Sequence, residues 1–241
     1  MRLVKPMFEI QSFPDRAEER IEVAGRNCYK SEDKITADSA AEFVRKMKGK
    51  THNAMLEFGG MPQVFFRVDR GVTHELVRHR LCSFAQESTR YCNYGKGKFG
   101  SEVTFVIPPW SALKPGRYRA RTTEAWKGFV RLGPNRTREE EEAIKASDDD
   151  LQWLTSMSDA EEGYFNLLEG RGQSPQQARA ALPQATKADI VVAANTREWI
   201  HIFRQRTGKT AHPQMREVML PLAREFAHRC PALYEEFAEV E

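Results

Sequence analysis

Arg78-His79-Arg80-Leu81-Cys82-Ser83-Phe84-Ala85-Gln86-Glu87-Ser88-Thr89-Arg90-Tyr91 holds three arginines, one histidine, two serines and a threonine in fourteen residues. Arginine presents a planar fork of donors that fits a phosphate bidentately. Hydroxyls and backbone amides of a Ser-Thr turn complete such a cradle. An arginine-rich run is otherwise often a solvated face, but here Leu81, Phe84 and Tyr91 interrupt it and are expected to anchor it to a core. The residues therefore point to a pocket for a phosphorylated ligand.

Working outward, Val64 to Asp69 is β-branched and aromatic and ends at Gly71, which reads as a strand. Val72 to Val77 reads as a short helix capped by Thr73, delivering Arg78 from a rigid element. His74-Glu75-Leu76-Val77-Arg78-His79 imitates the zinc motif H-E-x-x-H with one residue too many. On a helix, five residues turn about 500°, so the two histidines diverge by roughly 140° and cannot share a metal. No metal is expected.

On the N-terminal side, residues 1–10 read as a short strand, Pro14 to Gly25 as a helix capped by Asp15, and Asp38 to Lys48 as an amphipathic helix. On the C-terminal side, Val103 to Ile107 is a second strand stopped by Pro108-Pro109. Composition shifts over about 111–150, where Lys, Arg and Glu crowd around Glu139 to Glu142 and Asp148 to Asp150; this reads as a charged helical insertion. Leu151 to Glu169 is a helix ended by Gly170, and Ser174-Pro175 opens the next. Ile190-Val191-Val192 is a buried strand, and Asn195 with Glu198 makes a capping-box pattern. Met215, Val218, Met219, Leu222 and Phe226 lie on one face of the last long helix, which makes that face core.

The chain has 241 residues, 40% hydrophobic and 29% charged, with a net charge of +3. That suits an ordinary globular protein and anionic small ligands, and argues against a dedicated nucleic-acid binder. Cys28, Cys82, Cys92 and Cys230 form no C-x-x-C pair. No apolar run reaches the ~18–20 residues of a membrane span, and nothing at Met1 to Ile10 reads as a signal peptide. A cytoplasmic protein with reduced thiols and no membrane partner is expected. No G-x-G-x-x-G follows a strand, so a Rossmann-type dinucleotide site is not expected.

Arg78-His79-Arg80, seven residues, then Ser88, with the ending Gln86-Glu87-Ser88-Thr89-Arg90-Tyr91, resembles the flavin-dependent thymidylate synthases. Later stretches resemble that family in order: Ala178-Arg179 through Leu182-Pro183, then Asn195, Arg197, His201 and Arg206. The resemblance implies an α/β (α+β) fold over 1–241: one domain, a central mixed or antiparallel sheet flanked by helices, assembled as a homotetramer with active sites at subunit interfaces. It implies reductive methylation of dUMP to dTMP, with FAD as cofactor and NADPH and methylenetetrahydrofolate as cosubstrates.

By that resemblance, Glu75, Leu76, Val77, Arg78, Gln86, Glu87, Ser88, Thr89, Arg90, Arg179 and Arg206 hold dUMP. Ala54, Arg78, His79, Arg80, Gln86, Asn195, Arg197, His201 and His212 face the flavin. Arg206, Ser88 and His52 are the catalytic candidates. Arg206 would stabilise charge on the uracil ring. Ser88 is better suited to positioning dUMP, since no His/Asp base pair accompanies it. Ala54 replaces a hydroxyl of the family, which leaves a backbone contact there. Glu75 stands where some members have Gln, and Gln86 where some have Glu. A related flavin and folate hydroxymethylase of pyrimidine nucleotides, or a non-catalytic nucleotide- or RNA-binding module, are therefore the alternatives.

Overall fold

A computed structural model describes residues 1–122, 127–135 and 140–241; Glu139 of the acidic run lies outside the described residues. The chain packs as two units, each discontinuous in sequence. One is Met1–Pro6, Arg67–Thr73 and Gln86–Asp189; the other is Met7–Phe66, His74–Ala85 and Ile190–Glu241.

The first unit is built on a five-stranded mixed sheet. Its strands are β1 (Arg2–Val4), β5 (Thr104–Val106), β6 (Gly116–Thr122), β7 (Lys127–Leu132) and β8 (Glu142–Ala143), in the order β5-β1-β6-β7-β8. β1 and β5 are parallel, with Leu3 opposite Phe105; the other pairs are antiparallel. Leu3, Phe105, Tyr118 and Phe129 join Leu154, Met157 and Tyr164 of helix α4 (Asp148–Phe165) in one core.

This corrects the expectation of helical pieces over 111–150. Tyr118, Phe129 and Val130 are buried on the pleat. The surrounding charges pair across strands rather than along a helix: Arg131 with its register partner Glu142 at 2.6 Å, and Arg121 with Glu141 at 2.6 Å. The Asp148–Asp150 run opens α4, where Ser147 Oγ accepts from the Asp150 N–H at 3.1 Å and the three acids face the positive end of the helix.

Most of the second unit is helical: α1 (Ala17–Tyr29), α2 (Ser39–Gly49), α6 (Thr196–Arg206), α7 (Pro213–Arg229) and α8 (Pro231–Tyr234). A four-stranded sheet runs in the order β2 (Met7–Ser12), β3 (Gln63–Asp69), β9 (Lys187–Ala194), β4 (Cys82–Gln86). The single strand expected over 1–10 is thus two strands serving different sheets. β9 alternates rather than being buried throughout, with Ala188, Ile190, Val192 and Ala194 inward. The α7 face forms core as its spacing predicts, and Phe226 meets Phe13, Trp199, Phe203 and Tyr234 at ring separations of 5.0–5.2 Å.

Two caps differ from expectation. α1 starts at Ala17, which leaves Asp15 one residue outside; Arg16 takes the cap position in the left-handed region with no side-chain bond. Helix α3 (Arg70–Leu76) starts at Arg70, so Asp69 Oδ1 accepts from the Val72 N–H at 2.8 Å while Thr73 sits inside the helix. Helix α5 (Pro175–Ala178) opens at Ser174-Pro175 as expected, with a capping box from Ser174 to Gln177, but lasts only one turn before a 3-10 turn at Arg179–Ala181. No helix among the described residues is long and apolar enough to cross a membrane.

Candidate active site

In the second unit the site is organised around Arg206, at the C-terminal end of α6. Its Nε–H donates to His79 Nε2 at 3.0 Å, one terminal nitrogen donates to Glu75 Oε2 at 2.7 Å, and the other to the Glu75 carbonyl at 2.9 Å. A guanidinium has five N–H donors. Three are engaged among the described residues, which leaves two for a ligand. α3 brings Glu75 to this point, and the backbone beyond it is held by the His79 N–H donating to the Leu76 carbonyl.

His79 is buried, and its ring stands edge-on to His201 with centroids 5.6 Å apart. Burial, then the neighbouring Arg206 and His201 charges, push its pKa down to about 4, so the ring is neutral at pH 7. A neutral imidazole that accepts at Nε2 carries its proton on Nδ1. Glu198 Oε1 lies 3.7 Å from that Nδ1. Burial raises the pKa of Glu198, against the opposing charges of His201 and Arg197.

Asn195 caps α6: its side chain accepts from the Glu198 N–H at 2.8 Å, which leaves its amide donors unspent on the cap. Arg197 pairs with Glu57 at 2.6 Å on the exposed side. His52 is exposed, 3.5 Å from the Tyr29 hydroxyl, and Ala54 is exposed nearby in sequence. His212 caps α7 through Gln214 N–H. Arg78 and Arg80 are exposed and form no ion pair among the described residues; Val77 is exposed and Leu76 buried. Among the described residues the structure thus joins Glu75, His79, His201 and Arg206, while the contacts it shows for His52 and Arg197 run to Tyr29 and Glu57.

In the first unit, Gln86 to Arg90 continue the same chain. Gln86 donates to Thr73 Oγ1 at 3.0 Å. Arg179 donates to buried Thr89 at 3.3 Å, joining segments ninety residues apart in sequence. Ser88 Oγ accepts from the Arg90 N–H at 3.3 Å, and the Arg90 guanidinium lies over the Tyr91 ring. Glu87 is held by Lys187 at 2.5 Å and by the Tyr94 hydroxyl at 3.1 Å.

The family described as thymidylate synthase complementing protein matches residues 9–232. A flavin-dependent thymidylate synthase of Corynebacterium glutamicum is 32% identical over 227 residues, covering 92% of this chain and 80% of the relative. One from Corynebacterium efficiens is 30% identical with the same coverage. This chain belongs to the flavin-dependent thymidylate synthases. Its fold is similar to the UMP/dUMP methylase PolB of Streptomyces cacaoi bound with 5-Br dUMP: TM-score 0.69, 21% identity, 99% of this chain and 97% of that one. It is also similar to thymidylate synthase X of Helicobacter pylori with FAD and dUMP: TM-score 0.67, 16% identity, 96% and 98% covered.

Within this flavin-dependent thymidylate synthase, two groups escape a motif-based reading. One is the network around Glu87. Lys187 also reaches Asp189 at 3.2 Å, and Arg67 grips Asp189 at 2.9 Å. Burial pushes Asp189 up, but the Arg67 hydrogen bond and the Lys187 charge outweigh it and hold the carboxyl low. The signal was available as the two-residue spacing of Lys187 and Asp189 on β9. The other is Glu198, which reads from sequence as a cap partner alone. Burial, then the Glu198 charge, push the Cys82 thiol up to about 12, and burial raises Cys92, so neither is held as a thiolate.

Proposed function

We propose that the whole of 1–241 works as one thymidylate synthase domain, converting dUMP to dTMP with bound FAD, methylenetetrahydrofolate as carbon donor and NADPH as reductant. The observation that carries this reading is Arg206, fixed on three sides by Glu75 and His79 with two donors to spare. A guanidinium so held suits a pyrimidine that gains negative charge as N3 loses its proton, which makes C5 nucleophilic. Preorganised donors at developing charge need no protein nucleophile.

Gln86 to Arg90 and Arg179 are assigned to dUMP, with Glu75, Leu76, Val77 and Arg78 beside the base. Thr89 and Arg179 already share a hydrogen bond, and Ser88 orders the Arg90 amide, which supports a positioning role for Ser88. The donor set fits an anionic dinucleotide: exposed Arg78 and Arg80, Asn195 with its amide donors unspent, and exposed His201. With Ala54, His79, Gln86, Arg197 and His212, these are the residues assigned to FAD; His52 is kept as a catalytic candidate. When bound, FAD supplies the hydride carrier that no side chain here provides.

A homotetramer with sites at subunit interfaces is part of the proposal, as is a cytoplasmic location. Leu81 and Tyr91, expected to anchor the signature to a core, are instead 75% and 79% exposed in the single chain, apolar surface that a subunit interface would cover. The ion pair of Glu75 with Arg206, where some members have Gln, favours a second reading: hydroxymethylation of the pyrimidine by the same machinery.

An anaerobic assay with FAD, NADPH, dUMP and methylenetetrahydrofolate tests both. Flavin bleaching and a product with the mass of dTMP are expected. A hydroxymethylated nucleotide would replace the first reading by the second, and absence of flavin binding would remove both.

A further inference from the structure

We propose that Glu198 is a positioning residue for Arg206, acting through His79; this rests on the reading of Arg206 as the pyrimidine-activating group. The Nε–H of arginine only donates, so its 3.0 Å bond requires a lone pair on His79 Nε2. The ring must then hold its proton on Nδ1. Glu198 Oε1, 3.7 Å away, favours a proton on that nitrogen and opposes a lone pair there.

Glu198 is 7% exposed, and burying a carboxylate is costly unless something compensates. Its backbone already serves the Asn195 cap, and its side chain is not needed for that bond. The side chain faces His79, with His201 one helical turn along α6. Carboxylate, imidazole and guanidinium therefore form a chain in which the carboxylate selects the tautomer and the tautomer orients the arginine. Metal ligands commonly receive the same support from outer groups.

His79, Glu198 and His201 offer ligand atoms within 4.8 Å of one another, close enough for a cation. The Arg206 bond argues for the relay instead: it consumes the Nε2 lone pair and leaves N–H, not a lone pair, facing Glu198.

The test compares the flavin-loaded wild-type protein with Glu198→Leu and Glu198→Gln. Nitrogen-15 NMR of the histidines reads the His79 tautomer, assigned with a His79→Gln variant. The Nδ1–H form is expected in the wild type and lost in Glu198→Leu. A Gln carbonyl still accepts from Nδ1–H, so Glu198→Gln keeps the tautomer. Turnover is expected to fall about 10–100-fold in Glu198→Leu, mainly in kcat, with dUMP affinity within about threefold, and to recover most of that in Glu198→Gln.

If Glu198→Leu fails to fold, Glu198→Ser makes the same comparison. An unchanged Nδ1–H tautomer with full turnover in the Leu or Ser variant overturns the proposal, as does the Nε2–H form in the wild type. If the wild type does not process dUMP, the proposed function fails while the tautomer measurement still decides the relay.

Discussion

Acidification should expose His79 as a buried neutral histidine. In the folded protein its pKa lies at about 4 instead of 6.5, through burial first and then the positive neighbours Arg206 and His201. The sign follows from linkage: the unfolded chain takes up this proton near pH 6.5, while the folded chain resists it until about pH 4. The contribution is complete above about pH 6.5, declines as pH falls, and is gone below about pH 4. At about 1.4 kcal/mol per pKa unit, the shift is worth about 3 kcal/mol.

Other carboxylates titrate in the same range, so the measurement is a difference. Urea unfolding at intervals from pH 7 to pH 4 is recorded for the wild type and for His79→Gln. Glutamine keeps an acceptor for the Arg206 Nε–H without a titrating ring. The stability difference, wild type minus variant, should shrink by about 3 kcal/mol across that window. A nitrogen-15 titration of the His79 ring should have its midpoint near 4. A ring midpoint near 6.5 and a difference flat with pH would refute the account of His79 as a neutral acceptor for Arg206.

The remaining predictions concern activity and packing. Arg206→Ala should leave flavin bound, read by its visible spectrum, while turnover drops by about 10²–10³-fold; normal dTMP formation would sink its role. Ser88→Ala should weaken dUMP binding by calorimetry and retain some turnover, whereas complete loss at unchanged dUMP affinity would restore Ser88 as a nucleophile. Phe226→Ala should cost about 3–5 kcal/mol in denaturant unfolding, because its fully buried ring touches four other aromatic rings. Ser147→Ala should cost about 1 kcal/mol, since its hydroxyl accepts from the Asp150 amide at the start of α4; an unchanged midpoint would count against the cap.

The amino-acid sequence by itself determined what depends on neighbours in the chain. The apolar spacing from Met215 to Phe226 set the buried face of α7, because helical period alone places those residues on one side. Ser174-Pro175 and Asn195 marked helix starts, because a cap bonds an amide two or three residues on. The Arg78 to Tyr91 stretch carried the family, since its residue types and spacing lie within one short segment.

Tertiary structure decided what depends on partners far along the chain. The charged residues of 116–132 became strands because Tyr118, Phe129 and Val130 found a core and their arginines found acids across the sheet; charge and composition alone read equally well as helix. Asp69 displaced Thr73 as a cap because the helix begins at Arg70, directly after the strand, so the free amide of Val72 falls within reach of the Asp69 carboxylate. Arg206 met Glu75 and His79 across separations of 131 and 127 residues. The burial that keeps His79 neutral and sets Glu198 against it comes from packing, and no spacing in the chain encodes a dielectric environment.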